Sequence, residues 1–120
     1  MEFGQLSIAS KAGDLWINIP DSIKLEDSKT VESAIINNCN GKLTHVILDL
    51  SIVNNLYSSG LGLIVRIRKF VQGRGGVLVI VNVSGRILEI LKALNLDRII
   101  PIYLTDVEYK INHKDVWGVE

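Results

Sequence analysis

The chain has 120 residues, and its 13 lysine and arginine side chains balance 13 aspartate and glutamate side chains, so the formal net charge is zero. This length fits one domain, and an apolar content of 48% is enough for one hydrophobic core. The composition argues against a basic nucleic-acid binder, a polybasic membrane-surface module and a disordered chain.

Targeting and metal-binding signals are missing from the sequence. No apolar run approaches the roughly 20 residues that a membrane-spanning helix needs, and no basic segment followed by an apolar stretch opens the chain. Cys39 is the single cysteine, so it has no partner for an intrachain disulfide and too few companions for a zinc site. We expect a cytoplasmic protein with one domain over residues 1–120 and with no metal or cofactor.

The first half of the chain predicts a hairpin, a helix and a strand. Apolar and polar residues alternate over residues 5–10 and 15–19, and turn-forming residues lie between them. Asp27 or Ser28 can cap a helix that ends before Gly41. Along one stripe of this predicted helix lie Val31, Ala34, Ile35 and Asn38. Residues 46–50 are nearly all apolar, which is typical of a strand covered on both faces.

The second half predicts two further helices and a strand. A long helix runs from Ser58 to about residue 72 and ends at a glycine-rich turn, and residues 77–81 form a buried strand. Ser84 can cap the next helix, and Asn95 can adopt the left-handed conformation after its end, with Leu96 packing back on the last turn. The predicted apolar face of that helix consists of Ile87, Ile90, Leu91 and Leu94.

The C-terminal residues complete the predicted order β-β-α-β-α-β-α-β-α. Residues 99–102 predict a final strand, and Thr105 with Glu108 forms a capping box for a last helix, beyond which Trp117 lies in a tail. Strands that alternate with helices favour parallel pairing through right-handed crossovers. We therefore expect an α/β fold whose mixed sheet has an N-terminal antiparallel hairpin and mainly parallel strands, packed with about four helices.

Residues 49–62 carry the clearest functional signal, because a strand ends there and a helix starts at Ser58, followed by Gly60 and Gly62. The glycines leave the first turn bare, so a partner backbone or a phosphate can approach it. The helix dipole favours negative charge there by about 0.3–1 kcal/mol, and a phosphoserine would add about −1.5 to −2 charges. The simpler interpretation is that Ser58 only caps the helix.

Two blocks of sequence resemble the STAS domains, specifically the bacterial anti-sigma factor antagonists. The first is Asp49-Leu50-Ser51 followed by Ser58-Ser59-Gly60-Leu61-Gly62, and the second comprises residues 75–84 and 95–103. The resemblance covers about residues 5–104 and leaves 105–120 as a C-terminal helix and tail. It implies a STAS-like fold.

The resemblance also implies partner switching without catalysis. Such proteins bind an anti-sigma factor, often one that is also a serine kinase of the histidine-kinase ATPase type. The kinase phosphorylates the serine that corresponds to Ser58, which ends the interaction, and a serine phosphatase resets it. The resemblance places the partner-binding surface at Lys24, Tyr57, Ser58, Ser59, Gly60, Leu61 and Gly62.

Two positions depart from the family pattern. The family usually has aspartate directly before the phosphorylated serine, where this chain has Tyr57, and a second family aspartate aligns with Lys24. Together these replacements change the local charge by about three units, so a phosphate at Ser58 would meet a cation instead of carboxylates. This difference supports an alternative function, a constitutive scaffold module that is never phosphorylated.

Two other functions are alternatives to partner switching. Related domains bind nucleotides or other small molecules, so the domain could be a ligand sensor, although no residue identifies a ligand. Hydrolysis by Ser58 would need a histidine base, and His45 and His113 are expected to be solvated. We therefore expect no enzymatic activity, no nucleic-acid partner and no membrane insertion.

Overall fold

The computed structural model describes residues 7–11, 13–19, 28–38, 43–53, 56 and 58–117, without the side chains of residues 7, 28, 58, 59 and 115. Its elements follow the predicted order, with a short additional helix at the end. They are β1 (Ser7–Lys11), β2 (Asp14–Asn18), α1 (Ser28–Asn38), β3 (His45–Asp49), α2 (Ser58–Gly73), β4 (Val77–Val81), α3 (Gly85–Ala93), β5 (Ile102–Tyr103), α4 (Asp106–Asn112) and α5 (Lys114–Trp117).

The five strands form one mixed sheet in which spatial order follows chain order, β1 to β5. β1 pairs antiparallel with β2, and the remaining neighbours pair in parallel, which confirms the predicted fold class. The register aligns Trp16 with Ile47, and Ile47 with Val79. Because β2 to β5 are parallel, their carboxyl ends lie at the same edge of the sheet, called here the carboxyl edge.

One face of the sheet, the front face, is covered by α1, α2 and α3. Alternate strand residues such as Ile17, Leu48 and Ile80 point to this side, because successive side chains in a strand face opposite ways. Helix α2 contributes a buried stripe at the helical spacing of three and four residues: Leu63, Ile64, Ile67 and Val71. The resulting core is almost entirely aliphatic.

The opposite face, called here the back face, is covered by α4 and α5. Trp16, Ile47, Val79 and Val81 form a second cluster with Tyr109 of α4 and Trp117 of α5. The molecule therefore has three layers, with a sheet between two sets of helices. Trp117 was predicted to lie in a tail, and this prediction was wrong, because the side chain is 7% exposed and packs on the sheet.

The last strand is shorter and begins later than predicted. The 3₁₀ turn Leu96–Arg98 precedes it, and the amides of Ile99 and Ile100 both donate to the Leu96 carbonyl oxygen, at 3.1 and 2.9 Å. These amides are therefore used in closing a turn and cannot join the sheet. The chain becomes extended at Pro101, whose carbonyl oxygen accepts from Ile80 N at 3.0 Å.

Helix α3 is capped as predicted, but fewer residues of its predicted apolar face are buried. Ser84 Oγ accepts from Ile87 N at 3.2 Å, and Asn95 adopts the left-handed conformation with φ of 60°. Ile87 and Leu91 are buried, whereas Leu94 is 52% exposed, because the helix ends at Ala93 and the chain turns away there. Leu96 packs back into the core, as the sequence predicted.

Candidate functional site

Helix α2 begins at Ser58 beside the carboxyl edge of the sheet, as the sequence predicted. Gly60 is buried and stands four residues before Ile64, at the head of the stripe that packs on the front face, whereas Leu61 and Gly62 are half-buried. Gly60 therefore has a packing role. Lys24 and Tyr57, the two remaining predicted site residues, lie outside the described residues, and for Ser58 and Ser59 only the helical backbone is described.

The described residues of the loop between β3 and α2 include anchored positions and one exposed apolar side chain. Val53 N donates to the Leu50 carbonyl oxygen at 3.0 Å, and Leu50 N donates to the Val81 carbonyl oxygen at 3.1 Å. Val53 and Leu56 are buried in the front-face core. Between Leu50 and Val53 the side chain of Ile52 is 55% exposed, so the loop offers an apolar contact on the way to α2.

Asp49 shapes the first turn of that loop. Its Oδ1 accepts from Ser51 N at 3.0 Å, and its Oδ2 accepts from Trp16 Nε1 at 3.0 Å. Asp49 is 7% exposed, and its bond to Trp16 is buried, whereas its bond to the exposed Ser51 is only partly buried. A carboxylate that bonds the amide two residues ahead is an Asx turn, which restricts where the chain can go after the strand.

The neighbouring strand ends in a second loop at the same edge. Asn82 has φ of 61°, a left-handed conformation that asparagine tolerates better than most residues. Its Oδ1 accepts from Asp106 N at 2.8 Å, which ties the start of α4 to the start of α3. Three helices, α2, α3 and α4, therefore begin at the carboxyl edge.

The first turns of α2 and α3 contain no acidic residue. In α3 the first turn instead carries Arg86, which is exposed. Unsatisfied N–H groups at a helix start act as a partial positive charge, so acidic groups of a partner, or a phosphate, would be favoured at these two helix starts. The basic side chains of Arg66 and Lys69, further along α2, are exposed.

The family model for the STAS domain matches residues 5–108 of this chain. The chain belongs to the STAS family. The match contains the whole β3–α2 loop and the first turns of α2 and α3, which lie at the carboxyl edge.

Relatives of this STAS protein are named as anti-sigma factor antagonists. A curated relative from Thermotoga neapolitana, named as an anti-sigma factor antagonist homolog, is 42% identical over 60 residues, which is 50% of this chain and 53% of the relative. The chain therefore spans about half the length of the curated relative that it matches. A crystal structure from Thermotoga maritima, described as an anti-sigma factor antagonist, superposes with a TM-score of 0.71 at 23% identity, covering 89% of this chain and 92% of the other.

A third similarity is to a chain in a structure of the stressosome, described there as a signal integration and transduction hub. The TM-score is 0.66 at 16% identity, with 82% of this chain and 88% of the other covered. The two solved structures share the fold of this STAS protein. None of the helices described for residues 7–117 is long and apolar enough to cross a membrane.

Sequence reasoning missed a polar cluster on the back face, at the edge opposite Ser58. Asp14 is 2% exposed and accepts from Trp117 Nε1 at 3.0 Å and from the Tyr109 hydroxyl at 3.5 Å, and its Oδ1 lies 3.1 Å from His45 Nδ1. The Tyr109 ring stacks on His113 with centroids 4.0 Å apart. Both histidines are half-buried, with 26% of the His45 side chain exposed, so the prediction that they are solvated holds only in part.

The two buried acids among the described residues, Asp14 and Asp49, each accept a hydrogen bond from a tryptophan indole. Across the described chain, every buried side-chain nitrogen and oxygen has a hydrogen-bond partner. No group of three potential metal ligands comes together within this part of the chain. The sequence signal for this cluster was slight, because residues 11–14 predicted only a turn.

Proposed function

We propose that this STAS protein binds an anti-sigma factor, or a serine kinase of the histidine-kinase ATPase type, in a partner-switching pathway and performs no catalysis itself. The observation that carries the proposal is the start of α2 at Ser58, beside an anchored loop with an exposed apolar residue, in a domain whose relatives are named as anti-sigma factor antagonists. A second helix start without acidic residues extends the surface.

Phosphorylation at Ser58 would switch this interaction. The phosphate would add about −1.5 to −2 charges at the start of a helix, in the middle of the proposed contact. A partner that contacts the bare first turn would lose that contact through steric exclusion and desolvation of the phosphate. A serine phosphatase would restore binding by removing the group.

The direct test is affinity capture from a lysate of the source cells with the wild-type protein and with Ser58→Glu. We expect the wild type to capture an anti-sigma factor or kinase, identified by mass spectrometry, and Ser58→Glu to retain less than about a tenth of it, equivalent to about 1.4 kcal/mol. Ser10→Glu is the matched control, because Ser10 is exposed on β1 near the opposite edge.

Each result has a separate meaning. If the wild-type protein captures neither class of protein, the proposed partner is wrong. If Ser58→Glu and the wild type capture the partner equally, the switch is wrong and constitutive binding remains. If Ser10→Glu loses binding as strongly as Ser58→Glu, the effect does not arise at the start of α2.

A constitutive scaffold is the second candidate function. Tyr57 stands where the family usually has aspartate before the phosphorylated serine, and this departure supports binding without phosphorylation. Phosphoproteomics under several growth conditions separates the two functions, because an occupied Ser58 phosphate contradicts the scaffold. If an acid is needed for kinase recognition, Tyr57→Asp should raise the phosphorylated fraction.

A further inference from the structure

We infer that Trp16 is a positioning residue for the proposed partner site, acting through Asp49 from the back face of the sheet. This inference rests on the proposed function for its biological meaning. The bond from Trp16 Nε1 to Asp49 Oδ2 is 3.0 Å long, and the second oxygen of the same carboxylate accepts from Ser51 N. One buried carboxylate therefore joins an indole to the second residue of the loop that leads to Ser58.

The indole of Trp16 is itself held in place by its neighbours. Its ring centroid lies 5.2 Å from that of Trp117 and 5.8 Å from that of Tyr109, and Lys110 Nζ lies 5.1 Å from the ring. The side chain is 7% exposed. A ring enclosed in this way has few alternative rotamers, so its N–H group is preorganised toward Asp49.

The neighbours that hold Trp16 lie outside the matched family segment. That match ends at residue 108, whereas Tyr109, Lys110 and Trp117 follow it. Trp117 in turn donates to Asp14 at the start of β2, so Asp14, Trp117, Trp16 and Asp49 form a row of contacts across the back face. The C-terminal helices of this chain thereby support the loop at the carboxyl edge.

The consequence is a local effect on one amide. Without the indole N–H, Asp49 Oδ2 would be buried with no donor, and the carboxylate would turn toward water or another donor. The Ser51 amide would then lose its fixed acceptor, and the β3–α2 loop would sample more conformations. A role confined to core packing would instead weaken the whole domain evenly.

The experiment is native-state amide hydrogen exchange by NMR on Trp16→Phe and Trp117→Phe. The second variant is the matched control, because it removes the other indole N–H of the same cluster, keeps an aromatic ring at position 117 beside Trp16, and leaves the bond from Trp16 to Asp49 intact. The exchange rates of each variant are first corrected for its global stability, measured in urea. We then expect the Ser51 amide to exchange about fivefold to tenfold faster in Trp16→Phe, which corresponds to the free energy of one net hydrogen bond. In Trp117→Phe the rate should rise less than twofold.

Equal corrected exchange rates at Ser51 in the two variants would overturn the inference. If Trp16→Phe does not fold, incorporation of benzothienylalanine at position 16 keeps the bicyclic ring and replaces N–H by sulfur, and the same rise at Ser51 is expected. Asp49→Asn is an independent variant that cannot keep both bonds, and unchanged Ser51 exchange there would also contradict the inference.

Partner capture then connects the loop to function. Trp16→Phe should reduce capture severalfold, and Trp117→Phe should leave it within about twofold, since one net hydrogen bond is at stake. The exchange measurement needs no partner. A loop response without any captured partner would count against the proposed function alone, whereas captured partner with no loop response would count against the role of Trp16 alone.

Discussion

The two faces of the sheet are built in different ways. The front face is packed with aliphatic side chains from α1, α2 and α3, and its buried stripes follow the helical and strand periods. The back face is aromatic and polar, with two buried acids whose oxygens accept from two indoles. Aliphatic packing is nondirectional and tolerates small shifts, whereas hydrogen bonds fix the distances and orientations of their partners.

This difference assigns separate tasks to the two faces. The front face supplies most of the buried aliphatic area and therefore most of the stability. The back face places Asp49 and thereby the loop before Ser58, as inferred above. Four substitutions test whether stability and positioning are divided in this manner.

The largest expected effect belongs to the front face. Ile67→Ala removes a fully buried side chain of α2 and should lower the free energy of unfolding by about 2–5 kcal/mol, through lost burial and the remaining cavity. Urea denaturation measures it. Val65→Ala on the same helix is the control, because Val65 is 38% exposed and should change stability by no more than about 0.5 kcal/mol.

The back face should respond less in stability but more in local structure. Asp14→Asn removes the negative charge and one of the two acceptor oxygens that face Trp117 Nε1, the Tyr109 hydroxyl and His45 Nδ1, and it should lower the free energy of unfolding by about 1–3 kcal/mol. Tryptophan emission should shift to longer wavelength as Trp117 becomes hydrated. Asp97→Asn, on the exposed 3₁₀ turn, should change neither quantity. If Asp14→Asn exceeded Ile67→Ala, the proposed division would be wrong.

The helix cap at the carboxyl edge has an intermediate expected effect. Ser84→Ala removes the acceptor for Ile87 N and should lower the free energy of unfolding, measured by heat or urea, by about 1 kcal/mol. Ser84→Gly should lower it by only a few tenths of a kcal/mol. The loss should fall on α3 and leave the back-face fluorescence unchanged. If neither substitution lowered the free energy of unfolding by more than about 0.2 kcal/mol, the bond from Ile87 N to Ser84 Oγ would contribute nothing measurable to stability.

The smallest expected effect belongs to Lys110, whose Nζ lies 3.3 Å from Asp106 Oδ2 one helical turn earlier. Both groups are about one-third exposed, so loss of this pair in Lys110→Gln should lower the free energy of unfolding by only about 0.3–0.5 kcal/mol. The loss should shrink in high salt, because salt screens exposed charges. A larger loss that persists in 1 M salt would assign the main role to its contact with the Trp16 ring.

Local chemistry explains the successful predictions. The strand Val77–Val81 and the N-cap Ser84 were predicted with their observed positions, because a run of apolar residues and a capping serine act within a few residues. The start of α2 at Ser58 was predicted for the same reason. The last strand was misplaced because the turn at Leu96 takes up the amides of the residues before Pro101.

The sequence by itself determined the order of elements, the mixed sheet, the front-face core and the STAS motifs around Ser58. These features depend on periodicity, caps and motifs, which are local or repeat along the chain. Only the tertiary structure decided that Trp117 docks on the back face and that Trp16 reaches Asp49. Those bonds join residues 103 and 33 positions apart, and no local pattern specifies which distant donor a buried carboxylate will meet.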